Sequence, residues 1–156
     1  MIREWTRGDY TISTDPGRLD LDVIHGFLVR SYWAEGRTRA RVALTIEHSV
    51  PLGVHHRSGQ VGFARVVTDQ ASFAYLADVF VLEAHRGHGL GRWIVEIALG
   101  LPELQYVRRW LLGTRDAHGL YAQFGFAMAQ PGVLMEKLDP DSDRRFAALA
   151  APDTMS

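Results

Sequence analysis

Three glycines at alternate positions, Gly87, Gly89 and Gly91, stand between an apolar strand-like run, Tyr75–Leu82, and a helix-like run, Trp93–Leu99. With no Cβ atoms in the way, the backbone there can turn tightly and come close to a ligand. The helix that follows points its unpaired first-turn N–H groups, and the positive end of its dipole, at the same place. A strand, a glycine-rich turn and a helix in this order build an anion site within an α/β architecture. The expected anion is a phosphate or pyrophosphate.

The spacing narrows the ligand. A Walker loop needs Gly-x-x-x-x-Gly-Lys-Ser/Thr, and no such Lys pair follows these glycines. The dinucleotide fingerprint Gly-x-Gly-x-x-Gly also fails, because its last position falls on Arg92 or Ile94. The pattern that fits is Arg-x-x-Gly-x-Gly, as Arg86, Gly89 and Gly91, with Val81 five residues before the arginine.

At 156 residues the chain suits one domain with a core of its own. Its hydrophobic share of 47% and charged share of 22% are ordinary for a globular protein. A formal charge of −1 gives no global reason to expect nucleic acid or an anionic membrane as partner. No window reaches the roughly 18–20 apolar residues of a membrane span, and the first residues do not read as a secretory signal. The expected location is cytoplasmic. With no cysteine in the chain, disulfides, thiolate metal sites and a thioester-linked enzyme intermediate are all excluded. The seven histidines lack metal-site spacing: His55 and His56 are neighbours in a strand, and His85 and His88 flank the glycine turn. No metal is expected.

Local patterns predict strands at Tyr10–Ser13, Pro51–His56, Val61–Thr68, the run ending at Leu82, Trp110–Thr114 and Val133–Leu138. Helices are predicted after an Asp20 or Asp22 cap, over Thr38–His48, from Trp93 to Leu101, and over Ala117–Phe124, where Asp116 is a candidate cap. The resulting order is β-α-α-β-β-β-α-β-α-β. It implies a mixed α/β fold whose central twisted sheet, of about six to seven strands, carries helices on both faces. Residues 1–138 form a single domain in this reading. Residues 139–156 form a tail, disordered or with a short helix near Arg144–Ala150.

The Arg-x-x-Gly-x-Gly loop, its preceding Val81 and this element order together resemble the acetyl-CoA loop and fold of the GCN5-related N-acetyltransferase (GNAT) superfamily. The similarity spans roughly residues 10–138. It implies an acetyl-CoA-dependent acyltransferase that brings cofactor and amine together in one ternary complex. On this resemblance the loop Arg86, Gly87, His88, Gly89, Leu90, Gly91 and Arg92 takes the pyrophosphate. The strand at Phe80, Val81 and Leu82 offers backbone N–H groups to the thioester carbonyl, and the pantetheine arm lies between that strand and Trp110–Thr114. Thr114, Ala117 and His118 match the family's Asn-x-x-Ala-x-x-Leu-Tyr segment, with Thr in the Asn position.

Acyl transfer needs a neutral amine, a stabilised carbonyl oxygen and a proton for the departing thiolate. Leu120–Phe126 looks like the family's Leu-Tyr-x-x-x-Gly-Phe segment, which makes Tyr121 the expected proton donor. A phenol with a pKa of about 10 suits that role. Asp78 interrupts an apolar strand, on the face of Leu76, Phe80 and Leu82 by two-residue alternation, and a buried carboxylate needs a partner. Ala77–Val81 resembles the Glu-Asp-Phe-Phe-Val run of polyamine acetyltransferases, with Ala77 in place of the Glu. Asp78 is therefore read as a base, direct or through water, as a contact for the amine, or as half of an ion pair. Tyr32 and Trp33, in the break between the first two helices, are candidate walls for the acceptor. The expected acceptor is a small-molecule amine. A peptide or protein amine, and a non-catalytic acyl-CoA sensor, are the alternatives. The superfamily's members are often dimers, so a homodimer is open.

Overall fold

In the computed structural model, which describes residues 1–150, the strand-forming stretches assemble into one six-stranded sheet. Its strands are β1 (Glu4–Arg7), β2 (Tyr10–Ser13), β3 (Val50–His56), β4 (Gly59–Thr68), β5 (Phe73–Val81) and β6 (Arg109–Leu111), side by side in chain order. The first five are antiparallel neighbours; short turns join all of these pairs except β2 and β3, between which residues 14–49 carry two helices. The turn between β4 and β5 is locked by Asp69, whose carboxylate accepts the backbone N–H groups of Ala71, Ser72 and Phe73. β6 is parallel to β5, so it needs a crossover, which α3 (Leu90–Gly100) supplies.

Helices cover both faces, as the element order predicts. α3 presents Trp93, Ile94, Val95 and Ala98 to one face, where they meet Leu52, Val54, Val66 and Leu76. On the other face α1 (Leu21–Leu28) and α2 (Arg39–Glu47) bury Ile24, Leu28 and Val42 against Phe63 and Phe80. At 8 residues α1 is too short to hold its own shape in water. Burial of Ile24 and Leu28 supplies about 1.5–3 kcal/mol each. Asp20, rather than Asp22, is its cap: Oδ1 accepts from the N–H groups of Asp22 and Val23.

Three differences from the sequence expectation have physical causes. First, Glu4–Arg7 adds an edge strand that its mostly exposed, polar residues do not advertise. Second, Val133–Leu138 is not a strand. β6 offers only three residues to pair with, and Val133, Leu134, Met135 and Leu138 stay 54%, 51%, 96% and 78% exposed. The segment buries no face, so nothing offsets the entropy of straightening it. Third, the helix after β6, α4 (His118–Ala122), is shorter than predicted, and Asp116 does not cap it. Thr114 Oγ1 instead accepts the N–H of Ala117 at 3.0 Å. The tail forms α5 (Ser142–Ala150), which leans on α2 through ion pairing of Arg41 with Asp143 and through stacking of Arg41 over Phe146.

β5 also departs from simple alternation. Phe63 pairs with Phe80 and Arg65 with Ala77, so β5 carries one residue more than β4 between these pairs. This is a bulge, and Asp78 sits in it at φ +55. The added residue shifts the phase of the strand. Leu76 packs under α3, whereas Phe80 packs under α1. Asp78 therefore does not share one face with both Leu76 and Phe80, as strict alternation would have it.

Gly62 faces this irregular stretch. A Cβ placed there would lie 3.0 Å from the carbonyl oxygen of Phe80 and 3.1 Å from Val54 Cβ. Neither is the free end of a flexible side chain. Gly62→Ala is expected to lower the stability of the fold by about 1–3 kcal/mol, measured by urea unfolding.

Candidate active site

The bulge aims Asp78 away from the α3 layer and into the break between α1 and α2. Its side chain is 2% exposed, and both oxygens are engaged. The indole N–H of Trp33 donates to Oδ1 at 2.9 Å, and Arg37 Nη1 and Arg65 Nε donate to Oδ2 at 3.0 and 2.6 Å. Arg65 also reaches Ser49 Oγ at 3.1 Å. Trp33 and Arg37 belong to the connection between the two helices, so one carboxylate pins that arch onto the sheet. A second tie comes from Tyr32. Its hydroxyl accepts the Arg115 N–H at 3.0 Å, and the Arg115 guanidinium lies 4.0 Å from the centre of its ring.

Between the arch, β5 and the loop after β6 lies a cavity of about 190 Å³. It exists because β5 and β6 pair only from Phe73–Tyr75 to Arg109–Leu111 and then part. Tyr32, Trp33, Arg37, Arg65, Asp78 and Tyr121 all line it. Tyr121 is 8% exposed, and its ring meets Phe126 edge-on at 5.9 Å. Burial, assisted by the neighbouring Tyr32 and Asp116, pushes its phenol above the ordinary value. The group therefore stays protonated at neutral pH, and its hydroxyl has no protein partner among the described residues.

At the C-terminal end of β5 the chain turns through Glu83–His85 into the glycine run. Gly87 and Gly89 adopt φ +85 and +71, a region that disfavours side chains, and Gly89 is the residue at which α3 begins. No side chain caps this helix. Its first-turn N–H groups stay open to an outside acceptor, and the residues present thus fit a diphosphate. Arg86 donates from Nε to the Val81 carbonyl at 3.1 Å. Arg92 is drawn to Gln123 and stacks over Phe124, and Leu90 is buried in the α3 layer. His88 lies beside Tyr10 at the surface, with ring centres 5.8 Å apart.

The candidate residues thus divide into groups. Tyr32, Trp33, Asp78 and Tyr121 converge on one cavity, and Thr114 lines it too. His118 opens α4 and lines a different cavity of about 460 Å³ on the outer side of β6, which Tyr121 also borders. The Phe80 ring stacks on Phe27 at 4.1 Å and belongs to the core, leaving its backbone as the only functional part. The N–H of Leu82 is spent on the Val61 carbonyl at 2.8 Å. In an extended chain the preceding N–H, that of Val81, points the opposite way, toward the gap. Sequence reasoning missed Arg65 and Asp116 as lining residues. The signal for Arg65 was there, since it is a lone charge in the apolar run Val61–Val67. A further cavity, of about 520 Å³, opens where Val133–Leu138 fails to pair with β6 and contains none of these groups. Among the described residues, no cluster of His, Asp or Glu is arranged to hold a metal ion.

A splayed parallel strand pair, an open helix N-terminus at the end of one strand and a buried phenol beside the gap define an acyltransferase-type site. The sequence model of the acetyltransferase (GNAT) domain matches residues 47–128. The Gibberella zeae protein FG08082 is 31% identical over 142 residues, covering 78% of this chain and 80% of that one. The crystal structure of a GNAT-family protein from Xanthomonas campestris pv. campestris is 44% identical, with a TM-score of 0.81 over 84% of this chain and 94% of that one. The fold is shared with a GNAT-family acetyltransferase of Streptococcus pneumoniae at 22% identity, with a TM-score of 0.62 over 83% of this chain and 99% of that one. This chain belongs to the GNAT family and is an acetyltransferase.

Replacing Asp78 would leave two guanidiniums and an indole N–H without their acceptor. Asp78→Asn keeps the shape but not the charge. It is expected to cost roughly 3 kcal/mol of stability, read from urea unfolding.

Proposed function

We propose that the protein transfers an acetyl group from acetyl-CoA to a primary amine of a small molecule held in the 190 Å³ cavity. We place the reaction in the cytoplasm. The observation that carries the reading is the start of α3, where left-handed Gly89 opens a helix with no capping side chain. Four N–H groups at a helix start need acceptors, and a diphosphate supplies them together with the negative charge the dipole favours.

Bound acetyl-CoA supplies an activated acetyl carbon and a thiolate leaving group. The chain's own residues do the rest. The Val81 N–H, facing the gap, polarises the thioester carbonyl. The arch, held by Asp78, positions the amine and keeps water away. As the amine nitrogen bonds to the acetyl carbon, the C–S bond breaks, and the Tyr121 hydroxyl gives its proton to the sulfur. The amine sheds one proton to solvent water before it attacks and one afterwards, the second restoring Tyr121. Asp78, engaged on both oxygens, serves here as the anchor of Arg37 and Trp33 and not as the direct base. A cavity of this size favours a small amine over a peptide.

Calorimetry with CoA and acetyl-CoA, followed by a thiol-release assay over a panel of amines, tests the proposal. Heat on binding and release with an amine are expected; no heat with either ligand refutes it. Binding with no release on any amine would mark a non-catalytic sensor. Tyr121→Phe is expected to lower kcat about 100-fold or more with CoA affinity unchanged. With the phenol pushed above its ordinary value of 10.0, the wild-type rate should hold up to that pH and fall beyond it. In Tyr121→Phe that alkaline fall should disappear from the pH–rate profile.

A further inference from the structure

The walls of the acceptor cavity carry more charge than a binder of simple amines requires. Two arginines, Arg37 and Arg65, line it with side chains only 19% and 12% exposed. Asp78 takes one N–H from each, and Ser49 takes one more from Arg65. Among the described residues, Arg37 Nε and Nη2 and Arg65 Nη2 have no protein acceptor. They belong to planar groups whose other edges are held in place. Fixed donors with no acceptor, in a half-enclosed space, match an anion. The carboxylate beside them, Asp78, already accepts three hydrogen bonds.

A second carboxylate lines the same cavity with the opposite offer. Asp116 has no hydrogen-bond partner among the described residues, and it lies near enough to Tyr121 to help raise the proton affinity of the phenol. The cavity thus presents open donors at the arch and an open acceptor near the proton donor. A polycation would find only one free carboxylate and would meet two guanidiniums. A molecule with a cationic amine and an anionic group a few bonds away would satisfy both.

Resting on the acetyltransferase reading above, we propose that the acceptor is a small amino acid-like zwitterion. Its carboxylate docks on the open N–H groups of Arg37 and Arg65, and its ammonium enters beside Asp116 and Tyr121. A planar carboxylate suits the in-plane N–H groups of these three nitrogens, and a cavity of about 190 Å³ suits a molecule of that size. Asp116 holds the ammonium until it gives up one proton to solvent water. The neutral amine then bonds to the acetyl carbon as the C–S bond breaks, Tyr121 protonates the departing sulfur and regains a proton from the amide nitrogen, and the carboxylate stays in place on the arginines.

The test uses matched sets of acceptors in the thiol-release assay: an amino acid, its carboxamide, and the amine left when the carboxylate is removed. A polyamine and the phosphate ester of an amino alcohol accompany them. Acetyl-CoA binding is followed separately by calorimetry. At least one amino acid is expected to show kcat/KM roughly 10-fold or more above its carboxamide and its decarboxylated amine. Arg37→Gln should erase that margin by raising KM for the acid at least roughly 10-fold more than KM for the carboxamide, and Arg37→Lys should recover part of it. Equal use of acid and carboxamide, or preference for the polyamine or the phosphate ester, would overturn the inference. So would Arg37→Gln changing both KM values alike, which marks a purely structural arginine. Acetyl-CoA binding with no acceptor consumed also overturns it, whereas absence of acetyl-CoA binding removes the acetyltransferase reading on which it stands.

Discussion

A single buried carboxylate organises the working half of this molecule. Burying a carboxylate is costly unless it is partnered, and Asp78 has three partners, drawn from the arch between α1 and α2 and from β4. Each partner answers its charge and is itself fixed in doing so. The arch could otherwise swing on its turn residues; tied at Trp33 and Arg37, it becomes a wall. The left-handed backbone at Asp78 stores some strain, and the short polar side chain of aspartate tolerates that conformation better than most. The ion pairs compensate for the rest.

Around this anchor lie the groups that the fold leaves unsatisfied. Asp78 is engaged on both oxygens, but the far edges of its two arginines, the hydroxyl of Tyr121 and the first turn of α3 all lack protein partners among the described residues. A fold normally pairs such groups or places them in water. Here they gather along the line where β5 and β6 part. The splay itself follows from a short β6, which pairs over three residues and then leaves the sheet. The candidate site thus occupies ground that the hydrogen-bond ladder gives up.

How much of this was legible in the sequence depends on the range of the interaction involved. The glycine run could be read because its meaning is local: turn, helix start and strand end lie within a few residues. Tyr121 was legible through the motif around it, and the two helix layers through their apolar spacing. Asp78 was legible as an anomaly, but its direction was not. Alternation assumes an unbroken strand, and a bulge is decided by pairing with β4, a partner chosen by the whole sheet. Arg65 lies 13 residues from Asp78 and meets it only after that pairing. Val133–Leu138 misled for the converse reason, since its strand-like composition finds no neighbour long enough to use it.

The bulge makes the site's geometry separable from the packing beneath it. β5 feeds two layers, with Leu76 under α3 and Phe80 under α1, and one supernumerary residue lies between them. Deleting one residue of the bulge would restore plain alternation, in which Leu76 and Phe80, then three steps apart, still face opposite layers and Phe80 keeps Phe27 as its stacking partner. What such a deletion removes is the left-handed step that swings Asp78 toward the arch. At this point of the backbone the sheet could spare a peptide unit that the arch could not.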